Sequence, residues 1–224
     1  MQYPSSWLKG GSLGEAIAAE LRLQIINGTI KPGSVLSENR IAADFGTSRS
    51  PVREALKTLS GEGLIALQRM GAVVSGLSLH DVEELYDVRY LIESFAWQRL
   101  AANPEVLIAP LAQIIDKMEL AGKHRDIVDF AYQDLCFHET IITSAKHTRI
   151  LHLWTSIRQI VMTVMLITTR EVLSQGEDKI SYVIGKHRKL LQGLESRDSD
   201  IIQRNVEEYF ADSHLTLHTS IPNR

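Results

Sequence analysis

The chain has 224 residues, 44% of them hydrophobic and 23% charged, with a formal net charge of −3. That composition excludes a disordered or wholly basic chain, and the longest apolar run, about eight residues around Ile160 to Ile167, is far short of the ~20 that a membrane span needs. The one cysteine, Cys136, forbids an internal disulfide, and MQYPSSWLKGG lacks the apolar core of a signal peptide, so the expected home is a reducing cytoplasm without membrane contact. Residues 1–76 hold eight Lys+Arg against six Asp+Glu, whereas the remainder holds 16 against 21. A mildly basic front joined to an acidic back suggests two domains with different partners.

Residues 1–11 read as a flexible tail. Ser12 caps a predicted helix to about Asn27, with Leu13, Ile17, Leu21 and Ile25 on one face, and Gly28 ends it. Val35-Leu36 suits a short strand. Ser37 opens a short helix through Phe45 that Gly46 stops. Thr47 or Ser48 caps the next, to about Gly61, with Pro51 tolerated in the first turn. Leu64 to Leu67 and Ala72 to Ser75 form a hairpin around Arg69-Met70-Gly71. From Ser78 onward helical periodicity takes over, with helices near 79–102, 105–122, 125–145, 149–174, 178–195 and 199–219. The expected fold is mainly α: a winged helix-turn-helix over 12–77, then an antiparallel bundle of about six helices over 78–222.

In a winged helix-turn-helix the second helix enters the DNA major groove by its N-terminal end. Here that end reads Thr47-Ser48-Arg49-Ser50-Pro51-Val52-Arg53. Arg49 and Arg53, four residues apart, share a face, while Ala55, Leu56 and Leu59 can pack inward. Arginine bonds guanine O6 and N7 in a bidentate fork. Thr47, Ser48 and Ser50, with the helix-start N–H groups, suit phosphate oxygens. Arg69 and Gly71 stand at the wing tip, placed to reach the backbone or minor groove. The plainer reading makes the arginines solvated surface charges, but the order of short helix, turn, arginine-bearing helix and wing favours DNA. One winged helix reads few base pairs, so a homodimer on a pseudo-palindromic operator is expected.

Leu36 to Leu67, LSENRIAADFGTSRSPVREALKTLSGEGLIAL, resembles the winged helix of GntR-type bacterial transcription regulators. The resemblance is carried by Leu36, Glu38, Ile41 and Ala42, then Ser48, Arg49, Pro51 to Leu56, then Glu62, Gly63 and Leu64. It implies that Arg49 and Arg53 contact operator DNA. Where the family often has a further arginine this chain has Asn39, with Arg40 beside it as the third candidate. Leu85-Tyr-Asp-Val-Arg89-x-x-x-Glu93 with Leu100-Ala-Ala102 resembles the opening of the FadR-like effector domain, an all-helical bundle for small organic acids, often beside a metal ion.

Gln133-Asp134-Leu-Cys-Phe-His138 puts a carboxylate and an imidazole ~40° apart around one helix, a pair that can chelate Zn²⁺, Ni²⁺ or Mn²⁺. It can equally be a buried ion pair. The resemblance implies a ligand set of Asp134, His138 and His187. Its usual fourth ligand, a histidine 22 residues further on, falls at Tyr209, a possible weak ligand or effector donor; His214 can serve only if the 196–200 turn shifts the register. Arg89 sits beside the apolar stripe Leu85, Val88 and Ile92, where it can hold an effector carboxylate bidentately or pair with Glu93 or Asp87 at the surface. Trp97, Trp154, Phe130, Tyr132 and Met162 to Met165 read as core or pocket lining. These residues predict a ligand-responsive transcription regulator, a repressor, with a carboxylate effector. The competing reading is a metal-dependent enzyme using Asp134, His138 and His187, but no acid or base is identifiable for it and it leaves the front domain without a role.

Overall fold

The computed structural model describes residues 2–8, 10–69 and 71–220. Met1 and Lys9 of the expected tail, Met70 of the wing turn and residues 221–222 at the predicted end of the bundle lie outside the described residues. The chain divides into two compact units between Ser78 and Leu79.

In the first unit α1 spans Leu13–Ile26, β1 Val35–Ser37, α2 Glu38–Asp44, α3 Arg49–Gly61, β2 Ile65–Gln68 and β3 Gly71–Val74. A capping box opens α1: Ser12 Oγ accepts from the Glu15 N–H, and Glu15 accepts from the Ser12 N–H at 2.6 Å. Ile17, Leu21 and Ile25 are buried as their spacing requires, while Leu13 in the first turn stays half exposed. α1 packs on α3, closely enough at Gly14 that a side chain would meet Pro51 O and Glu54. Arg22 then ties α1 to the end of α3 through a bidentate ion pair with Glu62, both side chains nearly out of water.

Two details differ from the sequence expectation. The stretch expected as a flexible tail contains a 3-10 turn, Ser5–Leu8. Tyr3 is buried there, stacks edge-on against Trp7 and donates its N–H to Glu20; aromatic packing holds a segment that composition left open. The wing is also not a bare hairpin. β1 joins it to give a three-stranded antiparallel sheet in the order β1-β3-β2, with Leu36 opposite Ala72 and Ala72 opposite Leu67.

The second unit is all helical: α4 Leu79–Leu100, α5 Glu105–Lys123, α6 Ile127–Ser144, α7 Thr148–Ser174, α8 Glu177–Ser196 and α9 Ser199–Ser220. Short turns make successive helices antiparallel. α6 packs on α4, α5 and α7; α8 and α9 pack on each other, α8 also on α5 and α9 on α4. Trp97, Phe130, Phe137 and Trp154 fill the core, with Met162 and Met165 also buried, but Tyr132 is substantially exposed. α7 is long and apolar enough to cross a membrane by length and composition alone. Its middle stretch, Ile160 to Leu166, is instead buried within the bundle. Three turns after α5, α6 and α8 use left-handed Arg125, Lys146 and Arg197 rather than glycine.

Glu139 clamps α6 to α7. It accepts Arg158 Nε at 2.5 Å, Arg158 Nη2 at 2.9 Å and the Trp154 indole N–H at 3.1 Å. Burial pushes its carboxyl up, but those hydrogen bonds outweigh burial and hold it below the ordinary 4.5. A depressed folded value stabilises above the unfolded value and stops stabilising as pH falls through the folded one. Glu139→Gln should therefore cost about 1–3 kcal/mol at neutral pH. The gap from wild type should close progressively below pH 4.5, as followed by urea unfolding across a pH series.

Candidate DNA-binding and effector sites

Ser48 is the N-cap of α3, but its hydroxyl makes no capping hydrogen bond. The first-turn N–H groups and the exposed Ser48 and Ser50 therefore face outward at the same helix end as Arg49. Arg49 is exposed and forms no ion pair among the described residues. Arg53 is also largely exposed, yet its Nε donates to Glu38 Oε2 at 2.9 Å, so α2 orients it from the side. The plainer reading of Arg53 as a solvated charge is thus qualified by a partner on a neighbouring helix. Thr47 is half-buried and its N–H closes the turn onto Ala42 O. Arg40 is highly exposed, with Asp44 at 3.9 Å, and Arg69 is exposed at the wing.

Gly71 corrects the expectation of a wing-tip contact. It is buried at φ +147°, and a Cβ there would collide with Leu36 O across the strand pair. Its lack of a side chain serves the closure of β1 on β3, and it offers DNA no exposed surface.

In the helical unit, Asp134, His138 and His187 come together with one donor atom from each within 4.8 Å of the others. Asp134 Oδ1 lies 3.3 Å from His138 Nε2 and 3.0 Å from His187 Nε2. The outer ring nitrogens are both engaged. His187 Nδ1 meets Val183 O at 2.9 Å, and His138 Nδ1 meets Glu93 Oε2 at 2.5 Å. A carbonyl and a carboxylate can only accept there, so each ring holds a proton on Nδ1; with Nε2 unprotonated, as a bound cation would require, both Nε2 lone pairs face Asp134. Two imidazole lone pairs and a carboxylate oxygen facing one point form a donor set that fits a divalent cation.

Tyr209 joins this cluster, its hydroxyl 2.8 Å from His138 Nε2. His214 does not. Five residues beyond Tyr209 it has turned away around α9, and it faces Asp87 at 3.5 Å and the Tyr86 ring. Burial pushes the Tyr209 phenol well up and the Asp134 charge adds to it, so Tyr209 keeps its proton. Burial would also raise Asp134, but His187 and His138 hold it well below the usual carboxylate range.

Arg89 reconciles its two sequence readings. It does pair with Glu93, Nε to Oε1 at 2.6 Å, but inside the bundle rather than at the surface. Both side chains are essentially inaccessible to solvent. Its guanidinium lies 5.1 Å from the Tyr86 ring centre and 5.3 Å from that of Phe210. Nη2 is buried and has no hydrogen-bond partner among the described residues. Burial opposes the charge on Arg89, and Glu93 more than restores it; burial likewise opposes charge on Glu93, and His138 and Arg89 hold it low. Arg89, Asp134 and Tyr209 line one small cavity, together with Thr168, Thr169 and Ser213. Glu93, which spacing alone marked only as Arg89's surface partner, thus orients both Arg89 and His138. The legible signal for it was its place one helical turn after Arg89 on the same face.

Known proteins match two parts of the chain. Residues 13–74 match the family described as "Bacterial regulatory proteins, gntR family", and residues 84–212 match the FCD domain. The chain is 38% identical over 211 residues to the gluconate operon transcriptional repressor of Bacillus licheniformis, covering 94% of this chain and 87% of that protein. It is equally similar over the same span to the protein of that name in Bacillus subtilis (strain 168). Among solved structures, E. coli McbR/YncC shares the fold at a TM-score of 0.69, with 20% identity over 93% of this chain and 98% of that one. These relatives are regulators, which leaves the enzyme reading without support. The chain belongs to the GntR family of bacterial regulatory proteins, with an FCD domain behind its winged helix, and it is a ligand-responsive, DNA-binding transcription regulator.

Proposed function

We propose that the protein is a cytoplasmic repressor that binds a pseudo-palindromic operator as a homodimer and leaves it when a polyhydroxylated carboxylic acid of the gluconate type enters the helical unit. The observation that carries the effector half is the buried Arg89 Nη2, which lacks a hydrogen-bond partner among the described residues, on a side chain that lines a cavity with hydroxyl side chains. A buried donor left unsatisfied is costly, and an effector carboxylate would satisfy it with a charge-assisted hydrogen bond. The names of the 38% identical relatives support an aldonic acid. Asp134, His138 and His187 would hold a divalent ion, Zn²⁺, Ni²⁺ or Mn²⁺, with the Tyr209 hydroxyl beside it. Such an ion supplies positive charge for an effector oxygen. Exposed Val88, Leu91 and Phe95 on one face of α4, with Leu151 and Leu153 near the start of α7, support a face for the second copy.

The test is fluorescence anisotropy with the protein's own upstream DNA and a scrambled duplex, at several salt concentrations, with and without gluconate. The expected result is selective binding that gluconate weakens. Binding that ignores sequence and vanishes with salt would be phosphate attraction only and would defeat the operator reading; selective binding indifferent to every sugar acid tried would defeat the effector reading alone.

A further inference from the structure

The cavity at Arg89 is too small for the ligand proposed for it. Its volume is about 50 Å³, room for about one or two waters at ~30 Å³ each. A second cavity of about 320 Å³ opens between α8 and α9, within the range of ~300–1,000 Å³ that accommodates organic ligands. Two side chains, Lys186 and Tyr209, line both. They form the partition between the inner cavity and the outer groove.

The two walls differ in what holds them. Tyr209 is tied inward by its hydrogen bond to His138. Lys186 is tied outward: its Nζ donates to Asp212 Oδ2 at 2.5 Å and sits 4.8 Å from the Tyr209 ring centre. Asp212 is steadied by the Tyr182 hydroxyl at 2.6 Å. Lysine is a flexible stem ending in a compact charge, so its ammonium can leave one oxygen for another without moving the helix. The ion pair with Asp212 keeps the Lys186 ammonium beside the cavity. Beyond Lys186 the groove is lined by Asn205, Glu208, Lys189 and Tyr182, each held by a neighbour: Asn205 Nδ2 donates to Lys189 O, Lys189 pairs with Glu208, and the Tyr182 hydroxyl donates to Asp212. Gly185, facing the same groove, adds no side chain to narrow it.

We infer that Lys186 is a second cationic effector contact, and that the α8–α9 groove behind it is the subsite for the distal hydroxyls of an extended polyhydroxy acid. The inference rests on the proposed effector role of the helical unit. In it the carboxylate lies at Arg89, Lys186 turns from Asp212 onto the ligand chain, and the two cavities become one. Arg89 alone would accept any small acid; Lys186 and the groove select for length.

The experiment is calorimetric titration of the full-length protein with three-carbon glycerate and six-carbon gluconate, in wild type, Lys186→Met and Asp212→Asn. Wild type should bind gluconate more tightly than glycerate. Lys186→Met should weaken gluconate by about 10–100-fold, the range for one charge-assisted hydrogen bond, and leave glycerate nearly unchanged. Asp212→Asn should do the opposite and tighten gluconate, because it releases Lys186. A plain helix clamp predicts that both variants lose affinity together and for both acids; that result, or no change in either, overturns the inference. Because Asp212→Asn keeps Lys186 and is read by the sign of its effect, it remains decisive if Lys186→Met folds poorly. Arg89→Met separates the levels: loss of both acids there, with length selection insensitive to Lys186, would sink the subsite and spare the effector site. Absence of binding by either acid to wild type would defeat both.

Discussion

Replacing Arg49 with alanine is expected to abolish selective operator binding while leaving the fold intact. Arg49 is exposed, makes no ion pair among the described residues and stands in the first turn of α3, so its removal takes away no internal contact of that kind. A bidentate arginine–guanine contact discriminates by about 1–3 kcal/mol. In the proposed dimer the loss occurs twice, giving roughly 2–6 kcal/mol, or about 30-fold to 10⁴-fold in Kd. Anisotropy titration should show this loss on the operator and a much smaller one on scrambled DNA. The neighbouring arginine behaves differently. Arg53 is already held by Glu38, so Arg53→Ala also frees a carboxylate close to the DNA-facing surface. An Arg49→Ala protein that kept wild-type selectivity would move the reading head elsewhere on the unit.

Glu93→Gln is expected to damage both the stability of the helical unit and its capacity for a cation. The glutamate shares one carboxylate between Arg89 Nε and His138 Nδ1, at 2.6 and 2.5 Å, with no exposure to water. Glutamine keeps the shape but has only one acceptor oxygen, so its NH₂ group must face one of the two donors. It also leaves the Arg89 charge in the core without its counterion. Breaking a buried pair in this way costs about 3–5 kcal/mol, or roughly 6–20 °C in Tm for a chain of this size. Loss of the acceptor that orients a ligating histidine typically weakens cation binding by about 10–100-fold. Thermal unfolding by circular dichroism and a Mn²⁺ titration followed by electron paramagnetic resonance measure the two effects separately. A variant with wild-type Tm and wild-type Mn²⁺ affinity would show that neither Arg89 nor His138 depends on Glu93.

Local rules explain why so much of the fold could be read from the chain. Every long helix begins or ends within about two residues of where period and punctuation place it, because turn chemistry at Gly28, Gly46 and the 196–198 stretch acts within a few residues. The helix-turn-helix was legible for the same reason: its arginines, its N-cap and the apolar side of α3 lie within one short stretch. The third strand was not, since pairing Leu36 with Ala72 depends on residues far apart in sequence. Gly71 looked like a turn residue and proved to be a packing one, because the atom it must avoid, Leu36 O, belongs to that distant strand.

The site followed the same division. Spacing along one helix placed Asp134 and His138 on one face, and the resemblance added His187; by itself the sequence determined which residue types were available and which face each would share. Only the tertiary structure decided what they meet. It brought α4 against α6 and α9, so that Glu93 bonds His138 and Tyr209 closes on the same ring, and it turned His214 away. It also put Lys186, one residue before a predicted ligand, between two cavities. Helical period sets direction from the backbone within one helix, but depth, partners and empty space arise from how six helices pack, and no local pattern contains that distance.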